Sequence, residues 1–255
     1  MSAAGRLGGE TGARALAWCH AAQSAVCDVL EPWAHGTVAR ATRYPDYFAF
    51  NLVRVEDDPA MSVDALVGVA DQALAGLAHR RVDFDLAAAA EPLRAGFEAK
   101  GWRATRLVWM RHEAVASPGP DIRVADVPYD AVHALRLAWE REDFPDQEPG
   151  RYLAQSREVA RRRSPRVLAV CDEGVPVAFA QLERNGAAAE ITKVYVHPDF
   201  RGRGRGTAVT RKAIEAAADA RDLWIAADDE GRAKEIYARL GFRAAWTRMH
   251  FLRLP

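Results

Sequence analysis

The feature that most constrains the fold of this chain is the alternating stretch Arg201–Gly206, which lies between a predicted strand and a predicted helix. Residues 190–197 are rich in β-branched and aromatic side chains, which favour a strand that stops at Pro198. Residues 205–220 carry apolar side chains at helical spacing. Glycines let the backbone turn its N–H groups toward one point, and a helix start adds unpaired donors and partial positive charge. Such a strand–loop–helix unit is suited to a phosphate or pyrophosphate.

Two common phosphate-binding motifs do not fit this stretch. The dinucleotide fingerprint Gly-x-Gly-x-x-Gly fails, because the sixth position counted from Gly204 is Val209. The sequence also has no Gly-Lys-Ser/Thr of a Walker loop. A solvated turn without a ligand remains an alternative. A nucleic-acid binder is a weaker one, because 35 Lys and Arg balance 35 Asp and Glu and give no general attraction to nucleic acid.

The predicted elements repeat on either side of the linker VASPGPD at 115–121. A length of 255 residues allows two domains, and we expect them at 1–115 and 121–255. Each half mixes helices and strands, so the fold class is α/β (α+β). Both halves end in the same order of a helix, a glycine, an aromatic residue and a strand. The glycine and aromatic residue are Gly101-Trp102 in the first half and Gly241-Phe242 in the second. We interpret residues 1–10 as a flexible tail, followed by a helix over 13–31 that ends at Pro32.

Composition excludes several classes of protein. Hydrophobic residues make up 49% of the chain, which is typical of globular proteins and argues against disorder. No apolar run reaches the roughly 18–20 residues that span a bilayer, so we expect no membrane association. The first twelve residues lack the features of a secretory signal, which predicts a cytoplasmic protein. The three cysteines (Cys19, Cys27 and Cys171) have no metal-ligand spacing, so no metal is predicted.

Two motifs carry a resemblance to a known family. The first is Gln/Arg-x-x-Gly-x-Gly/Ala after a bulged strand, and the second is a helix that ends in Ala-x-x-x-Tyr-x-x-x-Gly-Phe. The first motif is matched by Arg201, Gly204 and Gly206. The second is matched by Ala233, Tyr237, Gly241 and Phe242. Residues 121–255 therefore resemble the GNAT superfamily of acyl-CoA-dependent N-acyltransferases. The resemblance implies acetyl-CoA as the cofactor and coenzyme A as a product.

The resemblance also implies a tandem arrangement of two GNAT-like domains. Each would be a mixed, mostly antiparallel sheet flanked by helices, with an intact copy at 121–255 and a degenerate copy at 1–115. After the strand predicted at 47–55, Glu56-Asp57-Asp58 stands where the intact copy has arginines and glycines. Three carboxylates would repel a pyrophosphate. We therefore expect the first half to bind no coenzyme and to serve as a scaffold.

The family pattern assigns contacts with the coenzyme. Backbone groups of Val194 and Val196 would bind the pantetheine arm where the strand bulges away from its neighbour, and the amides from Gly202 to Thr207 would hold the pyrophosphate. The predicted coenzyme-binding residues are Val194, Tyr195, Val196, Arg201, Gly202, Arg203, Gly204, Arg205, Gly206 and Thr207. The chain departs from the family at Glu230, where many members have an asparagine that contacts the coenzyme.

Transfer to an amine needs a base, because an ammonium has no lone pair. Glu190 is the candidate, since it begins the strand and resembles a glutamate of the histone acetyltransferase branch that accepts the proton through water. Partial burial would raise its pKa toward the useful range. The alternative is a solvent-facing strand-end carboxylate. Tyr237 would protonate the departing thiolate, and its alternative role is core packing.

The acceptor site is expected on the helical region before the hairpin. Trp139, Glu142 and Phe144 combine aromatic surface with negative charge, which suits a cationic amine. A solvated acidic helix end is the alternative, and Arg161–Arg163 is interpreted as a solvated last turn of the next helix. The predicted reaction is direct acetyl transfer from acetyl-CoA to a primary amine of a small molecule or peptide, by a monomer or homodimer. The rival interpretation is a non-catalytic acyl-CoA-binding or regulatory module.

Overall fold

The computed structural model describes residues 9–113 and 121–255. Most of the predicted tail (1–10) and of the predicted linker (115–121) lies outside these ranges. The chain divides into two compact units. The first comprises the described residues up to Trp109 together with Ala227–Gly231 and Ala244–Pro255, and the second comprises the described residues of Met110–Ala226 and Arg232–Arg243.

The regular elements follow in chain order. They are α1 (Glu10–Ser24), β1 (Val29–Trp33), β2 (Gly36–Arg40), β3 (Leu52–Val55), α2 (Val63–Ala73), β4 (Arg80–Phe84), α3 (Ala87–Ala90), α4 (Arg94–Glu98), β5 (Arg103–His112), β6 (Ala125–Val127), α5 (His133–Asp143), α6 (Gly150–Arg163), β7 (Arg166–Asp172), β8 (Val175–Asn185), β9 (Ala188–Val196), α7 (Arg205–Ala216), β10 (Asp222–Asp228), α8 (Ala233–Arg239) and β11 (Phe242–Arg253). Short 3-10 turns span Phe48–Phe50, Glu91–Leu93, Tyr129–Val132 and Pro198–Phe200.

In the first unit, β1, β2 and β3 pair antiparallel in that order, β3 pairs parallel with β4, and β4 pairs antiparallel with β11. The Ser62 side chain caps α2 by accepting from the amide of Ala65. In the core of this unit, the rings of Phe97 and Phe251 stack with centroids 4.0 Å apart. The C-terminal residues therefore complete the sheet of the first unit.

The helix expected to end at Pro32 is shorter than predicted. It ends at Ser24, and Pro32 lies within β1. That strand is at the edge of the first unit's sheet, where proline is tolerated because no neighbour requires its missing N–H. The apolar residues from Val26 to Leu30 therefore belong partly to a turn and partly to a strand.

In the second unit, β6, β7, β8 and β9 pair antiparallel in that order, and β9 pairs parallel with β10. Helix α7 connects the two parallel strands. On one face, Val132 and Leu135 pack with Phe179 and Tyr195, which places α5 against β8 and β9. The mixed, mostly antiparallel sheet flanked by helices is thus confirmed. In the described part of the chain, no helix has the length and apolar character needed to cross a membrane.

Candidate functional site

Strand β9 is bulged and then separates from β10. Its register against β8 shifts between Gln181 and Leu182, so that Thr192 is an extra residue on β9. Parallel pairing with β10 ends at Ile191 and Ile225, although β9 continues to Val196. The last five residues of β9 therefore have an edge that is not paired with β10.

Backbone groups of Val194 and Val196 face this open edge. The amide of His197 donates to the carbonyl of Val177 at 2.9 Å, which fixes the side of β9 that binds β8. Because antiparallel pairs alternate, Tyr195 shares that side, whereas Val194 and Val196 point their N–H and C=O groups the other way. The carbonyl of Val196 already accepts from Nε of Arg201 at 3.0 Å.

The turn between β9 and α7 uses two glycines in the left-handed region. Gly202 and Gly204 both have φ of +74°, and Gly204 immediately precedes the helix. A β-carbon on Gly206 would lie 3.3 Å from Cγ2 of Val196, so glycine lets the helix approach β9 closely. In the described part of the chain, none of the amides from Gly202 to Thr207 donates to a backbone carbonyl. These free donors fit an anionic ligand.

The three arginines of the loop have different surroundings. Arg201 pairs with Glu142 at 2.6 Å. Arg205 lies 3.6 Å from Asp172, and its guanidinium stands over the ring of Phe200, 5.0 Å from the centroid. Arg203 is exposed. Arg203 is thus the arginine of this loop whose charge is not offset by a carboxylate among the described residues.

Glu190 is buried on β9, directly opposite Glu183 of β8. Cross-strand partners share a face of the sheet, so both carboxylates lie on the face that α5 and α6 cover. Glu183 pairs with Arg163 at 2.5 Å, and it accepts hydrogen bonds from Gln181 at 2.7 Å and from Thr192 at 3.3 Å. Glu190 therefore stands beside an ordered polar network rather than at a solvated strand end.

Sequence reasoning missed this network. Arg163 was interpreted as a solvated helix end, but its side chain reaches Glu183. Arg136 of α5 is buried and donates to Gln181 at 2.7 Å. The available signal was the pair of polar residues, Gln181 and Glu183, on one face of the otherwise apolar strand β8.

Tyr237 lies on α8 and is 7% exposed. Its ring packs edge-on against Phe242, with centroids 6.2 Å apart. Burial raises the pKa of its hydroxyl to about 12. The phenol is thus protonated throughout the neutral range and can donate a proton. Glu230, at the position that departs from the family, pairs with Arg94 at 2.7 Å.

Two of the three residues predicted to bind the acceptor, Trp139 and Glu142, contact Tyr195 of β9, and Glu142 also contacts Arg201 of the loop. The ring of Trp139 stacks on Tyr195 with centroids 5.4 Å apart, and Lys193 Nζ lies 5.1 Å from the Trp139 centroid. The Tyr195 hydroxyl donates to Glu142 at 3.0 Å. The hydrogen bond from Arg201 holds the pKa of Glu142 below its ordinary value, so Glu142 is ionised. Phe144 follows α5 and is half-buried.

A cavity of about 450 Å³ lies elsewhere in the second unit, beside the C-terminal part of α7. Its lining residues include His112, Arg211, Glu215 and Arg221. No residue of the predicted site lines it. Among residues 9–113 and 121–255, no three His, Cys, Asp or Glu side chains converge as a possible metal site.

Comparison with known proteins relates part of the chain to a family of acetyltransferases. The model of the acetyltransferase (GNAT) family matches residues 129–242. An uncharacterised N-acetyltransferase of Methanocaldococcus jannaschii is 40% identical over an alignment of 97 residues, which covers 31% of this chain and 42% of the relative. The chain thus spans less than half the length of that relative.

Two solved structures share the fold over most of the chain. A functionally unknown conserved protein from Staphylococcus epidermidis has a TM-score of 0.67 at 16% identity, covering 89% of this chain and 94% of its own. A GCN5-related N-acetyltransferase from Kribbella flavida has a TM-score of 0.59 at 16% identity, with 94% of both chains covered. Residues 129–242, less than half of the chain, are thus similar to the acetyltransferase (GNAT) family.

Proposed function

We propose that this chain is an acetyl-CoA-dependent N-acetyltransferase that acts on a primary amine. The observation that carries the proposal is the separation of β9 from β10, followed at once by the Gly202–Gly204 turn and the start of α7. This arrangement combines an unpaired strand edge with free amides at a helix start. The first can bind an extended amide-containing arm, and the second can bind a diphosphate.

The residues that would hold the coenzyme fit its chemistry. Val194 and Val196 would bind the pantetheine amides, and the amides from Gly202 to Thr207 would bind the diphosphate. When bound, the coenzyme supplies an acetyl group as an activated thioester. Arg203 would add a charge-assisted contact at the rim, since no carboxylate offsets its charge among the described residues.

Glu190 and Tyr237 would handle the protons. We propose that Glu190 accepts the proton of the acceptor ammonium, directly or through water, so that the neutral amine can attack. Tyr237, whose hydroxyl stays protonated at neutral pH, would donate a proton to the departing sulfur. Attack would be direct, because no Cys or Ser stands at a position matched to a family nucleophile.

The acceptor would enter on the α5 side of the sheet, where Trp139 and Phe144 present aromatic surface. Glu140, also on this helix, is half-buried, and burial raises the pKa of its carboxyl above the ordinary value. The acceptor amine belongs to a small molecule or to a peptide, and an activity assay with a panel of amines would distinguish the two. The oligomeric state, monomer or homodimer, stays a prediction.

We also propose that the first half is a degenerate copy of the second, with domains at about 1–115 and 121–255. In the first unit, α2 connects the parallel strands β3 and β4, as α7 connects β9 and β10 in the second. The loop before α2 contains Glu56, Asp57 and Asp58 where the loop before α7 has arginine and glycine. An acidic loop disfavours a diphosphate, so this half would bind no coenzyme.

The test combines calorimetry with a turnover assay. Titration with coenzyme A should give saturable heat at one site per chain. Thiol release from acetyl-CoA should then be measured across primary amines, amino acids and peptides at fixed coenzyme concentration. No heat with coenzyme A would refute the proposal. Heat without amine-dependent thiol release from any acceptor would favour the non-catalytic coenzyme-binding module instead.

A further inference from the structure

One carboxylate oxygen joins the coenzyme loop to the end of the acceptor-side helix. Oε2 of Glu142 accepts from Nη2 of Arg201 at 2.6 Å and from the Tyr195 hydroxyl at 3.0 Å. The same guanidinium donates through Nε to the carbonyl of Val196 at 3.0 Å. Arg201 is therefore held at two atoms, by the strand and by the helix.

Tyr195, which takes part in this contact, is held in place by packing. Tyr195 is 5% exposed, and its ring is stacked nearly parallel on Trp139 at 11° between the planes. The Arg201 guanidinium lies 5.6 Å from the Tyr195 centroid. Because Tyr195 is fixed by packing, its hydroxyl directs the Glu142 carboxylate toward Arg201. The two side chains of the ion pair are 46% and 41% exposed, so the pair can respond to a ligand at the loop.

Glu142 is placed against the ordinary charge preference of a helix. It is the second-last residue of α5, where the partial negative charge of the helix end disfavours a carboxylate. Arg201 and Tyr195 compensate for this charge. The carboxylate is thus stable at this position chiefly when the coenzyme loop has the conformation that the structure shows.

We propose that Glu142 is a positioning residue that couples the coenzyme loop, residues 201–206, to the acceptor-side segment, residues 144–149. This inference rests on the proposed function of the loop as the coenzyme site. If the loop amides held a diphosphate, the backbone at Arg201 would be fixed, and its guanidinium would stay against Val196 and Glu142. The end of α5 would then be held through Glu142, and the segment that follows it would be ordered. By linkage, ordering of the segment also strengthens coenzyme binding.

The assignment changes the role of two predicted residues. Glu142 is occupied by Arg201 and Tyr195, so it acts on the acceptor through the position of the segment rather than by contact with the amine. Arg201 stabilises the loop from outside, and the amides and Arg203 bind the phosphates. Neither assignment requires a known acceptor, so both can be tested with coenzyme A alone.

The experiment measures hydrogen–deuterium exchange of the full chain with and without saturating coenzyme A. In the unsubstituted chain, coenzyme A should slow exchange both in the loop and in peptides that cover residues 144–149. In Glu142→Gln, it should slow exchange in the loop only, and calorimetry should show binding weakened about two- to five-fold, as expected for a partly exposed ion pair. Asp143→Asn removes the same charge one residue further along α5 and should behave like the unsubstituted chain.

The outcomes separate this proposal from the proposed function. Binding of coenzyme A without any slowing at 144–149 would overturn the coupling and leave the coenzyme site intact. Retained slowing at 144–149 in Glu142→Gln would also overturn it. Absence of coenzyme binding by the unsubstituted chain would overturn both proposals. If Glu142→Gln does not fold, Tyr195→Phe keeps the stacked ring, removes only the hydroxyl and should reduce the slowing at 144–149.

Discussion

Glu190 of β9 and Glu183 of β8 are direct cross-strand partners, and both are buried. Two carboxylates in this relation repel each other unless a cation or hydrogen-bond donor compensates. Glu183 has its compensation in Arg163, Gln181 and Thr192. Glu190 therefore lies opposite a carboxylate whose position is fixed by its own partners.

The first prediction concerns Glu190 as the base. Glu190→Gln keeps the size and hydrogen-bonding capacity of the side chain but cannot accept the proton. We expect kcat/KM to fall about 100-fold or more and its acid limb to disappear, with coenzyme affinity unchanged. The measurement is the pH dependence of amine-dependent thiol release between pH 5 and 10. An unaltered pH profile would assign the base elsewhere.

Glu183→Gln provides the matched comparison. Loss of the neighbouring negative charge favours the ionised form of Glu190, and Arg163 then adds uncompensated positive charge. The acid limb should therefore move to lower pH while activity above it is retained. A shift to higher pH in this variant would contradict the electrostatic role assigned to Glu183.

The second prediction concerns the turn before α7. Gly204 has φ of +74°, so a residue with a β-carbon is strained there by about 1–2 kcal/mol. Gly204→Glu also places a carboxylate beside the proposed diphosphate site. We expect coenzyme A binding to weaken more than 100-fold by calorimetry. Gly186→Glu is the control, because Gly186 also has positive φ, at +58°, but lies in the turn between β8 and β9. Equal loss of binding in both variants would attribute the effect to backbone strain.

The third prediction concerns Tyr237. Tyr237→Phe preserves the ring and its edge contact with Phe242, so the fold should be retained. Removal of the proton donor should lower kcat about 10- to 100-fold with little change in the KM for acetyl-CoA. Steady-state kinetics with the best acceptor of the panel measures this split. Unchanged kcat would leave Tyr237 with a packing role only.

Local sequence signals predicted the fold where one residue type decides the structure. The arginine–glycine stretch marked the turn into α7. The prediction of a bulge in β9 came from the family resemblance rather than from the residues themselves. Its position at Thr192 depends on pairing with β8, which a single strand sequence does not encode.

Contacts between residues far apart in the sequence could not be predicted from it. Nothing local shows that Met249 of the last strand pairs with Phe84 of β4, so that Ala244–Pro255 belongs to the first unit. The contact of Arg163 with Glu183 is likewise set by how α6 packs on the sheet. A run of arginines at a helix end is usually solvated, and here the tertiary fold outweighs that preference for one of the three.

The last prediction concerns the stability of the first unit in acid. His79 is 3% exposed, its Nε2 lies 3.1 Å from the Asn51 carbonyl oxygen, and burial lowers its pKa to about 4 from an ordinary 6.5. Between these two values the unfolded chain binds a proton that the folded chain does not. The free energy of unfolding therefore falls as pH drops from about 6.5 to 4, by about 3 kcal/mol for this group at 1.36 kcal/mol per unit.

His79→Gln keeps a donor for Asn51 and has no titration in this range. Urea unfolding midpoints at pH 4 to 7, followed by fluorescence, should fall less steeply with acid in the variant than in the unsubstituted chain. His250 is buried in both proteins and contributes equally, so the difference isolates His79. Parallel pH dependences would mean that His79 carries a proton in the folded chain.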